Sequence, residues 1–153
     1  MIFLVRHAKA GDRLHDPRED RKRPLSKPGW LQAAALAESL LAAGATGPLL
    51  SSPFTRCRQT LEPLGKRLGQ DVHKDAGLGE AQPFEPMLEL LQRTPDGSVL
   101  CSHGDMIPDM IAGLQRRGCV ILDEPQWKKG SVWVLKRAED GAFVSAQAWP
   151  PPA

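Results

Sequence analysis

Three short, uninterrupted apolar runs constrain the fold of this chain more than any other feature. They are IFLV at residues 2–5, PLLSS at 48–52 and SVLCS at 98–102. None of them alternates apolar with polar residues, which is typical of strands buried on both faces of a sheet. Stretches with helical apolar spacing separate the runs, so strands and helices alternate along the chain. The sequence therefore predicts a three-layer α/β/α fold with a mostly parallel central sheet.

The clearest helix signal is SKPGWLQAAALAESLLAAGA at residues 26–45. Ser26 is of the type that caps a helix N-terminus, and Pro28 fits the first turn. Gly44 can end the helix in a left-handed conformation. The segment before it, residues 9–27, is polar, charged and punctuated by proline, and is predicted to be a loop.

Further elements follow from the same signals. FTRCRQTLEPLGKRLG at 54–69 is predicted to be a second helix that Pro63 kinks or divides. Shorter helices are predicted at 85–94 and 106–117, and DVHKD at 71–75 is a candidate edge strand. The end of the chain reads as two alternating runs joined at Asp140-Gly141, which indicates an antiparallel C-terminal hairpin.

Composition limits the class of protein. The chain has 153 residues, which suits a single domain over 1–149 followed by a Pro-rich tail at 150–153. No apolar stretch approaches the ~20 residues of a membrane span, and MIFLV is too short for the apolar core of a secretory signal. A net charge of +2 is too small to indicate nucleic acid as a partner. We therefore expect no nucleic-acid and no membrane partner.

The number and spacing of the cysteines and of the Asp, Glu and His residues indicate a reducing compartment and no cofactor. The three cysteines, Cys57, Cys101 and Cys119, are odd in number and lack C-x-x-C spacing, so neither a disulfide framework nor a zinc site is predicted. The cytoplasm is the expected location. No set of Asp, Glu or His has the spacing of metal ligands, so we expect neither a metal nor another cofactor.

Charged residues follow each of the three predicted buried strands. The first strand is followed by Arg6 and His7, the second by Ser52 and Arg56, and the third by His103 and Gly104. Ligands of open α/β sheets bind beyond the carboxyl ends of the strands. Any one of these residues alone is more often structural, but together they predict a cluster of two imidazoles and two guanidiniums. Phosphate is the ligand that suits such a cluster best.

The same stretches carry a family resemblance. LVRHAKAG, SSPFTRCRQT and CSHGD are similar to the signatures of the histidine phosphatase superfamily, which contains phosphoglycerate mutases and acid phosphatases. Ala8 replaces the more familiar glycine, as in small phosphohistidine phosphatases. Those enzymes, and the phosphatase-type domain fused to some actinobacterial Nudix hydrolases, are the most similar members. The resemblance spans about residues 1–136 and implies a phosphoglycerate mutase-like fold. No Nudix motif occurs in this sequence, so a partner of that type would be a separate chain.

The resemblance assigns roles to the motif residues. It implies that His7 attacks phosphorus as a neutral imidazole, with its second nitrogen fixed by a backbone carbonyl. It implies that Arg6, Arg56 and His103 bind the phosphoryl oxygens, and that His103 also donates a proton or a hydrogen bond. Family members commonly place a general acid on the loop after the second helix. Glu80 is the favoured candidate here, the next acid, Glu85, is less favoured, and the alternative is that Glu80 is a solvated carboxylate without a role.

The remaining candidates are assigned from the sequence with an alternative left open for most of them. Lys9 is either a substrate contact or an exposed loop residue, and Ser102 either binds substrate or ends its strand. Lys129 either approaches the cleft or belongs to a strand entry. Asp105 is expected to cap the helix after SHG, and Cys57 and Cys101 are expected to be packing residues.

The activity that the resemblance implies is a metal-independent phosphatase with a phosphohistidine intermediate on His7. Its substrate would be either phosphohistidine on a protein or a small phosphorylated metabolite such as a nucleotide. Two alternatives remain. One is a non-catalytic phosphate-binding module, although recognition alone does not need a nucleophile. The other is mutase-type phosphoryl transfer, although the chain lacks the insertions that enclose a sugar phosphate in larger relatives.

Overall fold

A computed structural model describes residues 1–153. Its seven strands are β1 (Ile2–Arg6), β2 (Leu49–Ser51), β3 (Val72–Lys74), β4 (Val99–Ser102), β5 (Val120–Leu122), β6 (Val132–Arg137) and β7 (Phe143–Trp149). Its five α-helices are α1 (Pro17–Arg21), α2 (Lys27–Ala42), α3 (Thr55–Leu68), α4 (Phe84–Arg93) and α5 (Met106–Arg116), and a 3-10 turn spans Ala76–Leu78. None of these helices combines the length and the apolar character needed to cross a bilayer.

All seven strands belong to one sheet, in the order β3-β2-β4-β1-β6-β7-β5. The pairs β2–β3, β2–β4, β1–β4 and β5–β7 are parallel, whereas β6 is antiparallel to both of its neighbours. This confirms the predicted mostly parallel sheet with an antiparallel C-terminal hairpin. It also places β1, β2 and β4 side by side.

Strand β1 is buried on both faces, as its apolar run predicts. Ile2 and Leu4 belong to a core that includes residues of α4 and α5. Phe3 and Val5 belong to the opposite core, with residues of α2 and α3. The sheet is therefore covered on both faces, and β1 is the wall between the two cores.

Helix α2 begins and ends where the sequence predicts. The Ser26 hydroxyl accepts a hydrogen bond from the Gly29 N–H at 3.2 Å, and Gly44 has φ +98°. A Cβ on Gly29 would lie 1.9 Å from the Lys9 carbonyl oxygen. The helix therefore packs directly on the backbone that follows β1, and only glycine permits this approach.

Three elements differ from the prediction. Helix α3 continues through Pro63, and the fully buried Leu61 and Leu64 on either side of it pack on the sheet. The predicted 9–27 loop contains the five-residue helix α1, which Asp16 caps by accepting from the Arg18 N–H. Strand β5 is absent from the prediction because it has only three residues and half-exposed apolar side chains, which give no periodic signal.

Candidate active site

The sheet order brings the three motifs to one place. In the register of the sheet, Arg6 lies opposite Ser102, and Ser51 lies opposite Cys101. The backbone N–H of His7 donates to the Ser102 carbonyl at 3.1 Å. The pairing therefore continues one residue beyond β1, which fixes the backbone of His7 at the edge of the sheet.

A cleft of about 330 Å³ opens at these strand ends. The residues predicted for the site that line it are Arg6, His7, Arg56 and Glu80. His103 is 1% exposed, and its ring centroid lies 5.4 Å from that of His7. The structure thus brings together all five residues for which the sequence predicted roles in the reaction or in phosphate binding.

His7 is held as a neutral imidazole. Its Nδ1 lies 2.8 Å from the Ala8 carbonyl oxygen, which can only accept, so Nδ1 carries the proton and the lone pair is on Nε2. Burial lowers the pKa of His7 to about 3, and the charges of His103, Arg56 and Arg6 add to this effect. The resemblance implied the neutral imidazole and its backbone hydrogen bond, and burial is the largest cause of the lowered pKa.

His103 has a hydrogen-bond partner on only one of its ring nitrogens. Its Nε2 lies 2.8 Å from the Ser52 hydroxyl. Its Nδ1 lies 3.4 Å from a carboxylate oxygen of Glu80 and has no hydrogen-bond partner. A proton on Nδ1 would face this carboxylate favourably, so we take Nδ1 as the donor that His103 presents towards the cleft.

Arg56 is fully buried, and its contacts orient the guanidinium. Nη1 donates to the Asp20 carbonyl at 2.8 Å, and Nη2 donates to Glu80 at 2.6 Å. Its Nε has no partner. Backbone and carboxylate oxygens therefore hold Nη1 and Nη2 in place, and Nε is the nitrogen that remains able to donate to a ligand.

Arg6 is oriented by a carbonyl and by a glycine. Its Nη1 donates to the Trp127 carbonyl at 2.6 Å, while Nε has no partner. A Cβ on Gly104 would lie 2.6 Å from the Arg6 Cζ. Glycine at this position therefore leaves the space that the guanidinium occupies.

Three buried side-chain nitrogens in the protein lack a hydrogen-bond partner: Arg6 Nε, Arg56 Nε and His103 Nδ1. Arg6 and Arg56 line the cleft together with His7, and the ring of His103 lies beside that of His7. Leaving a buried donor unsatisfied costs about 1–3 kcal/mol, so three in one cluster indicate an acceptor that binds there. A tetrahedral oxyanion offers three oxygens to such donors while presenting its central atom to Nε2.

Glu80 is the acidic group of the cleft. Its carboxylate accepts from Arg56 and from both terminal nitrogens of Arg13, at 3.2 and 3.1 Å. Burial raises the pKa of Glu80, but the Arg13 hydrogen bond and the charges of His103, Arg56 and Arg13 outweigh it and hold the pKa below its usual value. Glu80 is therefore ionised in this structure.

Asp105 has a different role from the expected one. It makes no capping hydrogen bond to α5. Its carboxylate instead accepts from the Ala81 N–H at 2.8 Å, because the loop that carries Glu80 lies against the start of this helix. Asp105 thus occupies the N-cap position of α5, as expected, but its side chain supports the loop of Glu80 and does not cap the helix.

Asp20 and Arg23 are site residues that the sequence did not reveal. Asp20 is 3% exposed and forms ion pairs with Arg23 at 2.9 Å and with Arg56 at 3.4 Å. Arg23 also donates to the carbonyls of Ala10 and Gly11, just after the His7 segment. Their only sequence signal is an Asp-x-x-Arg spacing in a run of charges, which reads as a solvated loop.

Two predicted substrate contacts lie outside the cleft lining. The Ser102 hydroxyl is buried and donates to the Leu78 carbonyl at 2.7 Å. Lys9 is exposed. Lys129, for which the sequence left two alternatives, does line the cleft.

Cys57 and Cys101 are fully buried in the core beside α2 and α3. No group of three or more His, Cys, Asp or Glu side chains is arranged to hold a metal ion.

The chain is similar to known phosphatases in sequence and in fold. An 8-oxo-(d)GTP phosphatase of Mycolicibacterium smegmatis is 38% identical, over 99% of this chain and 48% of that protein. The chain thus spans about half the length of this relative. The protein histidine phosphatase SixA, solved with tungstate, has a TM-score of 0.72 at 23% identity, over 94% of this chain and 92% of that one. A mycobacterial glucosyl-3-phosphoglycerate phosphatase has a TM-score of 0.66 at 21% identity, over 99% of both chains.

The two solved structures share the fold, and a sequence profile identifies the family. The profile of the histidine phosphatase superfamily (branch 1) matches residues 2–85. This match covers more than half of the chain and includes β1, β2 and the residues Arg6, His7, Arg56 and Glu80. The chain therefore belongs to branch 1 of the histidine phosphatase superfamily.

Proposed function

We propose that this protein is a phosphatase that works through a phosphohistidine intermediate on His7 and requires no metal. One observation carries the proposal. The Nε2 lone pair of a neutral, buried imidazole belongs to a residue that lines the cleft. Arg6 and Arg56, which line the same cleft, and His103, whose ring lies 5.4 Å from that of His7, each keep a nitrogen without a partner. A binding module would need the donors, but it would not need an imidazole held neutral with a free lone pair.

In the first step, His7 Nε2 forms a bond to phosphorus while the bond from phosphorus to the leaving-group oxygen breaks. Charge spreads over the three remaining oxygens, where Arg6, Arg56 and His103 stabilise it. The Nδ1–H bond to Ala8 stabilises the positive charge that develops on the ring. A leaving group of low basicity departs as an anion, whereas an alkoxide needs a proton, for which Glu80 is the candidate donor.

In the second step, water attacks phosphorus and the bond to Nε2 breaks, which restores neutral His7. The attacking water must lose a proton. Glu80 is ionised and 19% exposed, and it lies beside His103 and Arg56, so it is suited to accept that proton. The low pKa of Glu80 therefore fits the hydrolytic step better than the first one.

The substrate is, in this proposal, either phosphohistidine on a protein or a small phosphorylated metabolite. Both have leaving groups that His7 can displace. The name of the M. smegmatis relative favours the metabolite, and specifically a nucleotide. Lys129 on the cleft wall supports the same choice, because it forms no ion pair and exceeds what one phosphoryl group needs.

Hydrolysis of p-nitrophenyl phosphate in EDTA tests the proposal. We expect activity in the wild type and a loss of at least about 10³-fold in His7→Ala, because the nucleophile is absent. His73→Ala is the matched control, since His73 is exposed on the edge strand β3 and should be dispensable. An inactive wild type would favour a binding module, and a fully active His7→Ala would refute the assignment of the nucleophile.

Trapping the intermediate tests the same mechanism independently. During turnover of ³²P-labelled substrate, the label on the protein should be labile to acid and stable to base, and it should be absent from His7→Ala. Label on a serine or cysteine would contradict the proposed chemistry.

A further inference from the structure

Lys129 is held beside the nucleophile by the backbone around it. The N–H of Gly130 donates to the carbonyls of Arg6 and His7, at 3.2 and 3.1 Å. The Lys129 carbonyl accepts from the Gln32 side chain at 3.4 Å. The loop before β6 is thus bound to the end of β1, which fixes the backbone of Lys129. The half-buried Lys129 side chain lines the cleft.

Most cations of the cleft already have carboxylate partners. Arg13, Arg23 and Arg56 form ion pairs with Asp20 or Glu80. Arg6 and Lys129 line the same cleft and form none. Burial and the charges of Arg6, Arg23 and Arg56 lower the pKa of Lys129, which indicates local positive charge in excess.

The cleft also has more room than one phosphoryl group needs. Its volume of about 330 Å³ is within the range of roughly 300–1,000 Å³ that is typical of pockets for small organic ligands. A phosphate ion has five heavy atoms and a diphosphate has nine. Arg6, Arg56 and His103 supply the donors for the group under attack, so the charge of Lys129 remains for a second anionic group next to it.

We propose that Lys129 anchors a second anion subsite, which binds the phosphate that remains on the leaving group, so that the preferred substrates are phosphoanhydrides cleaved at the terminal phosphorus. This inference rests on the function proposed above. The Nε2–P bond forms as the bridging P–O bond breaks, and its electron pair stays on the bridging oxygen of the departing phosphate. Lys129 stabilises that charge. Such a leaving group needs no proton, which agrees with an ionised Glu80.

Kinetics on two substrates test the subsite. ADP carries a second phosphate next to the terminal one, whereas p-nitrophenyl phosphate has a good leaving group without one. For Lys129→Met we expect kcat/KM on ADP to fall by about tenfold or more, because a hydrogen bond to a charged group is lost. We expect a change of less than about threefold on p-nitrophenyl phosphate. Lys128→Met, at the exposed neighbouring position, should affect neither, and Lys129→Arg should retain most of the ADP activity.

Binding of non-hydrolysable probes tests the subsite without catalysis. By calorimetry, wild type should bind methylenediphosphonate more tightly than methylphosphonate, and Lys129→Met should lose about tenfold of that preference. Equal losses on both substrates, or no preference for the diphosphonate in wild type, would overturn the subsite. If His7→Ala stayed active, the proposed function would fail. The role of Lys129 would still be decided, because the preference for the diphosphonate is measured without catalysis.

Discussion

Glu80 occupies a position that a substrate oxygen would need. Its Oε1 lies 2.6 Å from Arg56 Nη2 and 3.4 Å from His103 Nδ1. These two side chains are proposed phosphate ligands, so the carboxylate and the phosphate compete for them. When phosphate displaces the carboxylate, Glu80 loses its contacts with Arg56 and His103, whose charges add to the Arg13 hydrogen bond in lowering its pKa. The added negative charge of the phosphate raises that pKa further. Substrate binding would thereby favour the protonated form of Glu80, which is the form that the proposed general acid needs.

Removing the charge of Glu80 should strengthen phosphate binding. For Glu80→Gln we expect the Kd of inorganic phosphate at pH 7 to fall by about tenfold, because the competing charge and its repulsion of the dianion are both lost. Isothermal titration calorimetry measures this directly. Glu85→Gln, an exposed neighbour at the start of α4, should bind phosphate like wild type. Weaker binding by Glu80→Gln would mean that the carboxylate supports the anion site.

The site residues differ in how far the sequence could reveal them. His7, Arg56 and His103 follow apolar runs, and a parallel sheet brings such positions together whatever the details of packing. Asp20 lies in a loop whose composition predicts exposure, and only the tertiary structure places it under Arg56. Lys129 is 122 residues from His7 in sequence, and two backbone hydrogen bonds from Gly130 bring it to the cleft.

The connection between β4 and α5 controls the position of Arg6. It must turn sharply after His103, and Gly104 faces the Arg6 guanidinium with no room for a side chain. The same turn carries Asp105, which holds the loop of Glu80. One short connection thus orients groups on two sides of the cleft, and neither effect involves direct contact of Gly104 with substrate.

Replacing Gly104 with alanine should act through Arg6. Because the new Cβ would displace the guanidinium, we expect kcat/KM for p-nitrophenyl phosphate to fall by about 10- to 100-fold. In the double-mutant cycle, Arg6→Ala/Gly104→Ala should be no worse than Arg6→Ala alone. Additive losses would show that Gly104 matters for another reason, such as the fold of the turn, and unfolding curves of each variant would identify that case.

Local signals predicted the elements well where they were long or strongly patterned. The caps of α2 and the hairpin of β6 and β7 follow from residue types with specific backbone preferences. Of the two effects predicted for Pro63, division of the helix is wrong, because tertiary packing of α3 outweighs the local penalty of the proline. Strand β5 is held by its pairing with β7. This contact joins distant parts of the chain, so the three residues of β5 carry no local signal that would predict it.

Burial of a neutral imidazole links the stability of the whole molecule to pH. The pKa of His7 is about 3 in the folded protein against 6.5 for an unperturbed histidine. Between these values the unfolded chain binds a proton that the folded protein does not. The free energy of unfolding therefore rises with pH through this window, and the contribution is lost progressively as pH falls below 6.5.

A neutral replacement of His7 should weaken this pH dependence. Between pH 7 and pH 5, His7 alone should cost the wild type about 2 kcal/mol of stability. His7→Asn should lose about 2 kcal/mol less over the same interval, because asparagine does not titrate. Urea unfolding at both pH values, in buffers free of phosphate, measures the difference. Parallel changes in the two proteins would mean that His7 can take up a proton without unfolding.

Strand β1 has a sheet neighbour on each side and a hydrophobic core on each face. His7 is attached to it by one more backbone bond, to Ser102. Fraying of an edge strand such as β3 or β5 would leave this region undisturbed. The proposed nucleophile is thus anchored to the centre of the sheet, so the position of the His7 backbone should persist while the edge strands open.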